Sequence, residues 1–290
     1  MITKDSPDLE LSDTEFASYF KVKTLQYNTR IEHYISDVLG RFSGSKFYEP
    51  LNYAVQGGKR VRPLIVLLCH GAVSKEKAIV DDPMPAAVAV ELLHTESLIH
   101  DDIMDSDATR REKQAFHLRY GLDASILSAD FVLGIILDIA AQYPDSRVGR
   151  ELSKAALRMS EGQYYEVGLK STAQKISAEQ YVEAVTQKTA ALFQTSSRLG
   201  AIIADAKQQT LEAMSEFGLN LGIAYQMQDD LLDWNPSGFL EKSIDSKAGT
   251  LQKMSCEYAL SAKNALSLIP DSEPKERLWE LAEFAVRRRF

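Results

Sequence analysis

Long windows of this chain repeat their apolar residues every three or four positions and almost nowhere alternate one by one. The stretch AAVAVELLHTESLIHDDI, residues 86–103, sets Val90, Leu93, Ser97 and Asp101 along one helical face. Residues 179–204 (EQYVEAVTQKTAALFQTSSRLGAIIA) and 210–234 (TLEAMSEFGLNLGIAYQMQDDLLDW) keep the same period and are rich in good helix formers. Glycine and proline, 15 and 9 in 290 residues, are too sparse to punctuate many short strands, and Asn-Gly turns between β-branched runs are missing. A chain patterned this way is expected to be all-α.

Start and stop signals agree with that expectation. Ser12 or Asp13 can cap a first helix running to about Gly40. Ser177 with Gln180 three residues on forms a capping box. Pro144 can open the helix through SRVGRELSKAALRMSEGQYYEV, and Pro236 with Gly238 breaks the chain after DDLLDW. The connections are short and no linker stands out, so residues 1–290 are read as a single domain of roughly ten helices or more.

Composition narrows the partners. A formal charge of −8 argues against nucleic acid, whose phosphate backbone needs a basic surface. It leaves small phosphorylated ligands open, because a local basic cluster can sit in an acidic protein. Cys69 and Cys256 lie far apart without metal-ligand spacing, which reads as two reduced thiols in a cytoplasmic protein. The acidic start MITKDSPDLELSD does not read as a secretory signal, and PLIVLLC and FVLGIIL are too short to span a bilayer, so no transmembrane segment is expected.

Two motifs carry the chemistry. HDDIMD holds Asp101, Asp102 and Asp105; QDDLLD holds Asp229, Asp230 and Asp233. Both read D-D-x-x-D and both close an apolar helical stretch. Positions i and i+4 are neighbours on a helix, so Asp101 meets Asp105 and Asp229 meets Asp233. Two carboxylates ~4 Å apart at an effective dielectric near 20 repel by about 4 kcal/mol. They splay into water, titrate upward or share cations. With neither His nor Cys in the ligand pattern, zinc and copper are disfavoured. Two copies of the motif favour a hard divalent ion such as Mg²⁺, held by one or two carboxylates together with substrate phosphates.

Such an ion calls for a polyanionic ligand and for cations nearby. QGGKRVRP offers Lys59, Arg60 and Arg62 beside paired glycines at a helix start; Arg110 and Arg111 follow the first acidic motif; QKTAALF puts Lys188 and Thr189 in an otherwise apolar helix. Each alone also fits a plain loop, a solvated pair or a snorkelling lysine. His94 alone fits a satisfied core histidine, but it lies two turns before Asp101 on the same face.

In GGKRVRP, LLHTESLIHDDIMDSDATRR, EGQYYEV, QKTAALF and LGIAYQMQDDLLD, taken in order from about Tyr53 to Lys242, the sequence resembles the trans-type polyprenyl diphosphate synthases. It comes closest to the archaeal-type geranylgeranyl synthases. The resemblance implies the isoprenoid synthase fold, a helical bundle around a central cavity with the acidic motifs facing across its mouth. It implies head-to-tail condensation of isopentenyl diphosphate with an allylic diphosphate, Mg²⁺ as cofactor with three ions per site, and a homodimer. It assigns Asp101, Asp105 and Asp229 to the metal ions, with Asp102, Asp230 and Asp233 as further ligands or their support. Arg110, Lys188, Thr189, Gln226 and Lys242 match positions that hold the allylic diphosphate. Lys59, Arg62, His94 and Arg111 match positions that bind isopentenyl diphosphate, with Arg60 assisting. Lys188 is carried over among the catalytic residues.

The sequence departs from the family pattern at three places. After the arginine pair it reads EKQAFH where the family often has Gly-Lys-Pro-Thr. After the second motif LEKSIDSKAGT is shorter than usual, which leaves Lys247 as a substitute for Lys242. Glu96, five residues before Asp101, takes a chain-length position that is aromatic in short-chain relatives and small in long-chain ones. A carboxylate facing an apolar tunnel is costly unless protonated or paired. A short-chain product is expected, C20 first and C15 next, with C25 or longer as the alternative. A terpene cyclase and a non-catalytic subunit are the rival readings; the first needs no isopentenyl diphosphate site, and the second typically loses an acidic motif. The terminal VRRRF reads as basic residues complementing a helix C-terminus.

Overall fold

The computed structural model describes residues 12–74, 81–171, 176–233 and 248–288. Its helices are α1 (Asp13–Gly40), α2 (Tyr48–Val55), α3 (Val61–Val73), α4 (Met84–Met104), α5 (Phe116–Tyr120), α6 (Leu122–Ala141), α7 (Ser146–Ser171), α8 (Ala178–Val185), α9 (Ala191–Ile203), α10 (Gln208–Leu232), α11 (Ala248–Ala265) and α12 (Glu273–Arg287). The all-α expectation holds. The one β feature among the described residues is a hairpin of two-residue strands, β1 (Thr109–Arg110) and β2 (Lys113–Gln114), too short for any alternation to announce.

The caps explain the helix ends. Ser12 and Glu15 form a capping box at α1, and Ser177 with Gln180 does the same at α8. Pro144 does not open α7, which begins at Ser146; Asp145 caps it instead, its Oδ1 accepting from the Arg147 N–H at 2.9 Å.

Helix α4 runs through the middle. Every residue from Ala86 to Leu93 is buried, the signature of a helix apolar on all sides. It packs against α1, α3, α6, α7 and α9, while α10 lies on α9, α11 and α12. One core cluster draws on residues from Phe20 in α1 to Ala285 in α12. The two helices that end in acidic motifs, α4 and α10, are therefore fixed by the core and not by the surface.

Helix α6 is, among the described residues, the one helix apolar enough by length and composition to cross a membrane, with a mean hydropathy of 1.9 over an 18-residue window, a test that a core helix also passes. It buries Ser125, Ala129, Val132, Ile136 and Ile139 within the fold and exposes Leu122, Ile126, Leu127, Leu133 and Leu137.

Between α8 and α9 the chain makes a π-turn at Thr186–Ala190. Two glycines let neighbours close on it. A Cβ on Gly162 of α7 would lie 2.4 Å from Lys188 N, and one on Gly222 of α10 would lie 2.7 Å from the Ala190 Cα. The turn that carries Lys188 and Thr189 is thus clamped from both sides, and such π-bulges are frequent at functional sites.

Candidate active site

A cavity of about 1300 Å³ opens between α3, α4, α6, α7 and α10. Its wall includes Asp101 and Asp105 at the end of α4 and Asp229 and Asp233 at the end of α10. The i,i+4 spacing does what helix geometry requires: one pair from each motif faces the same space. The middle aspartates turn elsewhere. Asp102 is buried off the cavity and accepts from Arg110 Nε at 2.7 Å. Asp230 accepts from Tyr181 Oη at 2.5 Å and Gln226 Nε2 at 2.9 Å. Burial raises the Asp230 carboxyl to about 6, although both hydrogen bonds pull the other way. Of the two roles the resemblance leaves open to them, Asp102 and Asp230 thus take positions that brace the helix ends, while Asp233 lines the cavity with Asp101, Asp105 and Asp229.

Asp101 is also raised by burial, with Lys188 drawing it back down. Lys188 Nζ bonds Glu166 Oε2 at 2.9 Å. Glu166 in turn holds Lys170 at 2.7 Å, and Lys170 reaches Asp105 Oδ1 at 3.1 Å. Thr189 donates to Gln226 Oε1 at 3.0 Å, so the π-turn is tied to α10 just above Asp230. Glu166 and Lys170 were not singled out from the sequence. Their signal was an i,i+4 acid–base pair inside the EGQYYEV region, a pattern any solvated helix face can carry.

The cations of the other wall come from the loop before α3, from the first turn of α3 and from the hairpin. Lys59, Arg62, His94, Arg110 and Arg111 all line the cavity. Arg62 lies over the Phe193 ring at 4.7 Å, and its Nε is buried with no hydrogen-bond partner. A buried, unpaired guanidinium N–H is costly and marks a place for an anion. His94 is half-buried beside Arg62 and Arg111; desolvation first, then their charges, pushes its pKa well below the usual histidine range. The ring is therefore neutral, with one donor and one acceptor nitrogen. Arg111 sits at φ +52° and Glu112 at φ +62°, the two central positions of the hairpin turn. Glu112 stands where the family often has glycine, so this turn is held under strain beside the site.

Arg60 also lines the cavity, but its guanidinium is committed to the fold: it bonds Glu32 at 2.7 Å, Glu91 at 2.5 Å and the Val55 carbonyl at 2.5 Å. It is a non-glycine residue at φ +53°, and a Cβ on Gly58 would meet its Nη1 at 2.5 Å. The second glycine of QGGKRVRP is there to let Arg60 fold under the loop that presents Lys59 and Arg62.

Glu96 lines the apolar part of the cavity with Leu122, Ile126, Leu133 and Leu157. It pairs with His100 Nδ1 at 3.1 Å, and that hydrogen bond raises the His100 pKa. Pairing is how a carboxylate is tolerated there. Lys242 and Lys247 lie outside the described residues. The terminal arginines do more than complement a helix dipole: Arg287 bonds Asp13 at 3.0 Å, and Arg288 turns inward to Asp229.

The two acidic motifs present only carboxylate oxygen to the cavity, through Asp101, Asp105, Asp229 and Asp233, which suits a hard divalent ion. Among the described residues no three His, Cys, Asp or Glu side chains are assembled to hold a metal alone. Two carboxylates per motif fit an ion that completes its shell with ligand phosphate and water.

Residues 45–250 match the model of a family described as polyprenyl synthetase. A geranylgeranyl diphosphate synthase of Methanosarcina mazei is 34% identical over 212 residues, 71% of this chain and 64% of that protein. A geranylfarnesyl diphosphate synthase of Aeropyrum pernix is 36% identical over 218 residues, 70% of this chain and 65% of that protein. The matched stretch thus spans just under two thirds of either relative. Among solved structures, a polyprenyl synthase of Caulobacter crescentus complexed with calcium and isoprenyl diphosphate superposes with a TM-score of 0.81 at 24% identity, covering 93% of this chain and 97% of that one.

Proposed function

The chain belongs to the polyprenyl synthetase family, and from that premise we propose that it condenses isopentenyl diphosphate head-to-tail with an allylic diphosphate, making a trans-polyprenyl diphosphate of C20 to C25. The observation that carries this reading is the meeting of two acidic helix ends and a separate cationic cluster on one cavity with an apolar extension.

Divalent metal use goes with the family; Mg²⁺, three ions per site, is the proposed form. When bound it neutralises the departing diphosphate as the allylic C–O bond breaks. The chain's own residues do the rest. Asp101, Asp105, Asp229 and Asp233 are the proposed metal-facing carboxylates. Arg110, Lys188, Thr189 and Gln226 hold the allylic diphosphate, and Lys59, Arg62, His94 and Arg111 hold that of isopentenyl diphosphate. Fixed cations in a cavity shielded from bulk water stabilise developing negative charge without reorganising. The released diphosphate takes the proton lost from the new carbon chain, so no side-chain base is required. A cyclase has no use for the second cationic cluster, and a silent subunit has no use for two complete motifs.

The test is turnover. Purified protein with Mg²⁺, labelled isopentenyl diphosphate and an allylic primer is expected to yield extractable labelled product. No product with geranyl, farnesyl or geranylgeranyl primer places the chain among non-catalytic subunits. The same assay reads chain length. Glu96→Ala removes the side chain that narrows the apolar extension and is expected to lengthen the product by one or more C5 units; an unchanged distribution removes Glu96 from length control.

A cytoplasmic homodimer is part of the same reading. Its support is α6, whose exposed Leu127 and Leu137 lie outside the cavity lining and give a second copy an apolar surface to cover. Leu127→Asp with Leu137→Asp is expected to halve the mass seen by light scattering. Retention of the wild-type mass moves the interface elsewhere.

A further inference from the structure

Arg288 is the last described residue, 55 positions beyond Asp233, and no family assignment given above uses it. It lies just past α12, yet its side chain is buried against α10. Nη1 donates to Asp229 Oδ1 at 2.5 Å and Nη2 to the Tyr225 carbonyl at 2.5 Å. Nε donates to the Ala285 carbonyl at 3.2 Å, and the Arg288 carbonyl accepts from Gln228 Nε2 at 3.1 Å. The guanidinium thus spans one turn of α10, from the backbone at 225 to the carboxylate at 229, and that fork fits one orientation of Asp229.

The same guanidinium starts a series of ring contacts, its central ring pair tilted at 41°. It lies 3.6 Å from the Tyr225 ring centroid; Tyr225 lies 5.2 Å from Phe193; Arg62 covers Phe193 at 4.7 Å. A cation–ring–ring–cation series of contacts therefore joins the second acidic motif to the cationic wall. Asp229, bonded to one end of that series, and Arg62, its other end, both line the cavity.

We propose that Arg288 is a positioning residue: it fixes Asp229 for joint binding of a divalent ion and diphosphate, and braces the aromatic pair on which Arg62 rests. This rests on the prenyl transfer reading above. Carboxylates that ligate metals are commonly held by such outer partners, and losing one weakens metal binding by about 10- to 100-fold.

The test uses the full-length protein and inorganic diphosphate, titrated calorimetrically with and without Mg²⁺. Binding without Mg²⁺ reads the cationic wall; the gain on adding Mg²⁺ reads the acidic motifs. Arg288→Gln is expected to weaken the Mg²⁺-dependent component by about 10- to 100-fold. Arg288→Lys, which keeps the charge and loses the fork, is expected to recover part of it. Arg287→Gln is the structural control. It loosens the same tail at Asp13, away from the cavity, and is expected to lower the melting temperature with diphosphate binding intact. Mg²⁺-dependent binding in Arg288→Gln that equals or exceeds wild type overturns the positioning role, as does an equal loss in Arg287→Gln. Wild-type protein with no Mg²⁺-dependent component overturns the prenyl transfer reading and this proposal together.

Discussion

Asp101→Asn is expected to lower prenyl transfer by about 10³-fold, while Asp102→Asn, one residue on, costs far less. The contrast comes from where the two side chains point. Asp101 faces the cavity beside Asp105, with Asp229 and Asp233 on the other helix end. Asparagine keeps its shape and removes the charge that draws metal and diphosphate together. Asp102 sits off the cavity and holds Arg110 at 2.7 Å, so its loss acts through one diphosphate-binding arginine. Steady-state rates at saturating substrate check the difference. Equal losses at the two positions contradict the geometry described for the motif.

The second large effect is on stability. Arg60→Met is expected to lower the unfolding free energy by about 3–5 kcal/mol, because it strands the buried carboxylate of Glu91. Glu32 is half exposed and can turn to water, so Glu91 supplies most of the penalty. Joining Glu91→Met to Arg60→Met removes the stranded charge and is expected to recover most of the loss, since a buried ion pair replaced by apolar groups is often close to neutral. Chemical denaturation at fixed protein concentration measures both. A double variant as unstable as the single one places the cost in the strained backbone at 60 and not in the ion pair.

The sequence made much of this legible. Helical periodicity and the boxes at Ser12 and Ser177 are local, so they could be read directly, and the structure keeps them. The spacing of each acidic motif was enough to pair its outer aspartates. What it did not separate was the role of the middle ones. That depends on Arg110 and Tyr181, partners brought in by the hairpin and by α8.

Arg60 and Arg62 look alike in the sequence, two apart in one basic loop. One is spent on Glu32 and Glu91, contributed by α1 and α4, and the other keeps a bare Nε. Only the packing of those helices tells them apart. Arg288 was the least legible, since nothing near VRRRF points to an aspartate on another helix. The apolar character of α6 is legible only over its whole length, because each of its apolar runs is short while its exposed leucines recur from Leu122 to Leu137.

Everything depends on both acidic helix ends binding one metal–diphosphate unit. The direct test is a crystal structure of the protein with Mg²⁺ and a non-cleavable thio-analogue of an allylic diphosphate. Bridging of one diphosphate by ions bonded to Asp101 and Asp105 on one side and Asp229 on the other is the expected result. Ions confined to one motif, or a diphosphate lodged elsewhere, contradict it.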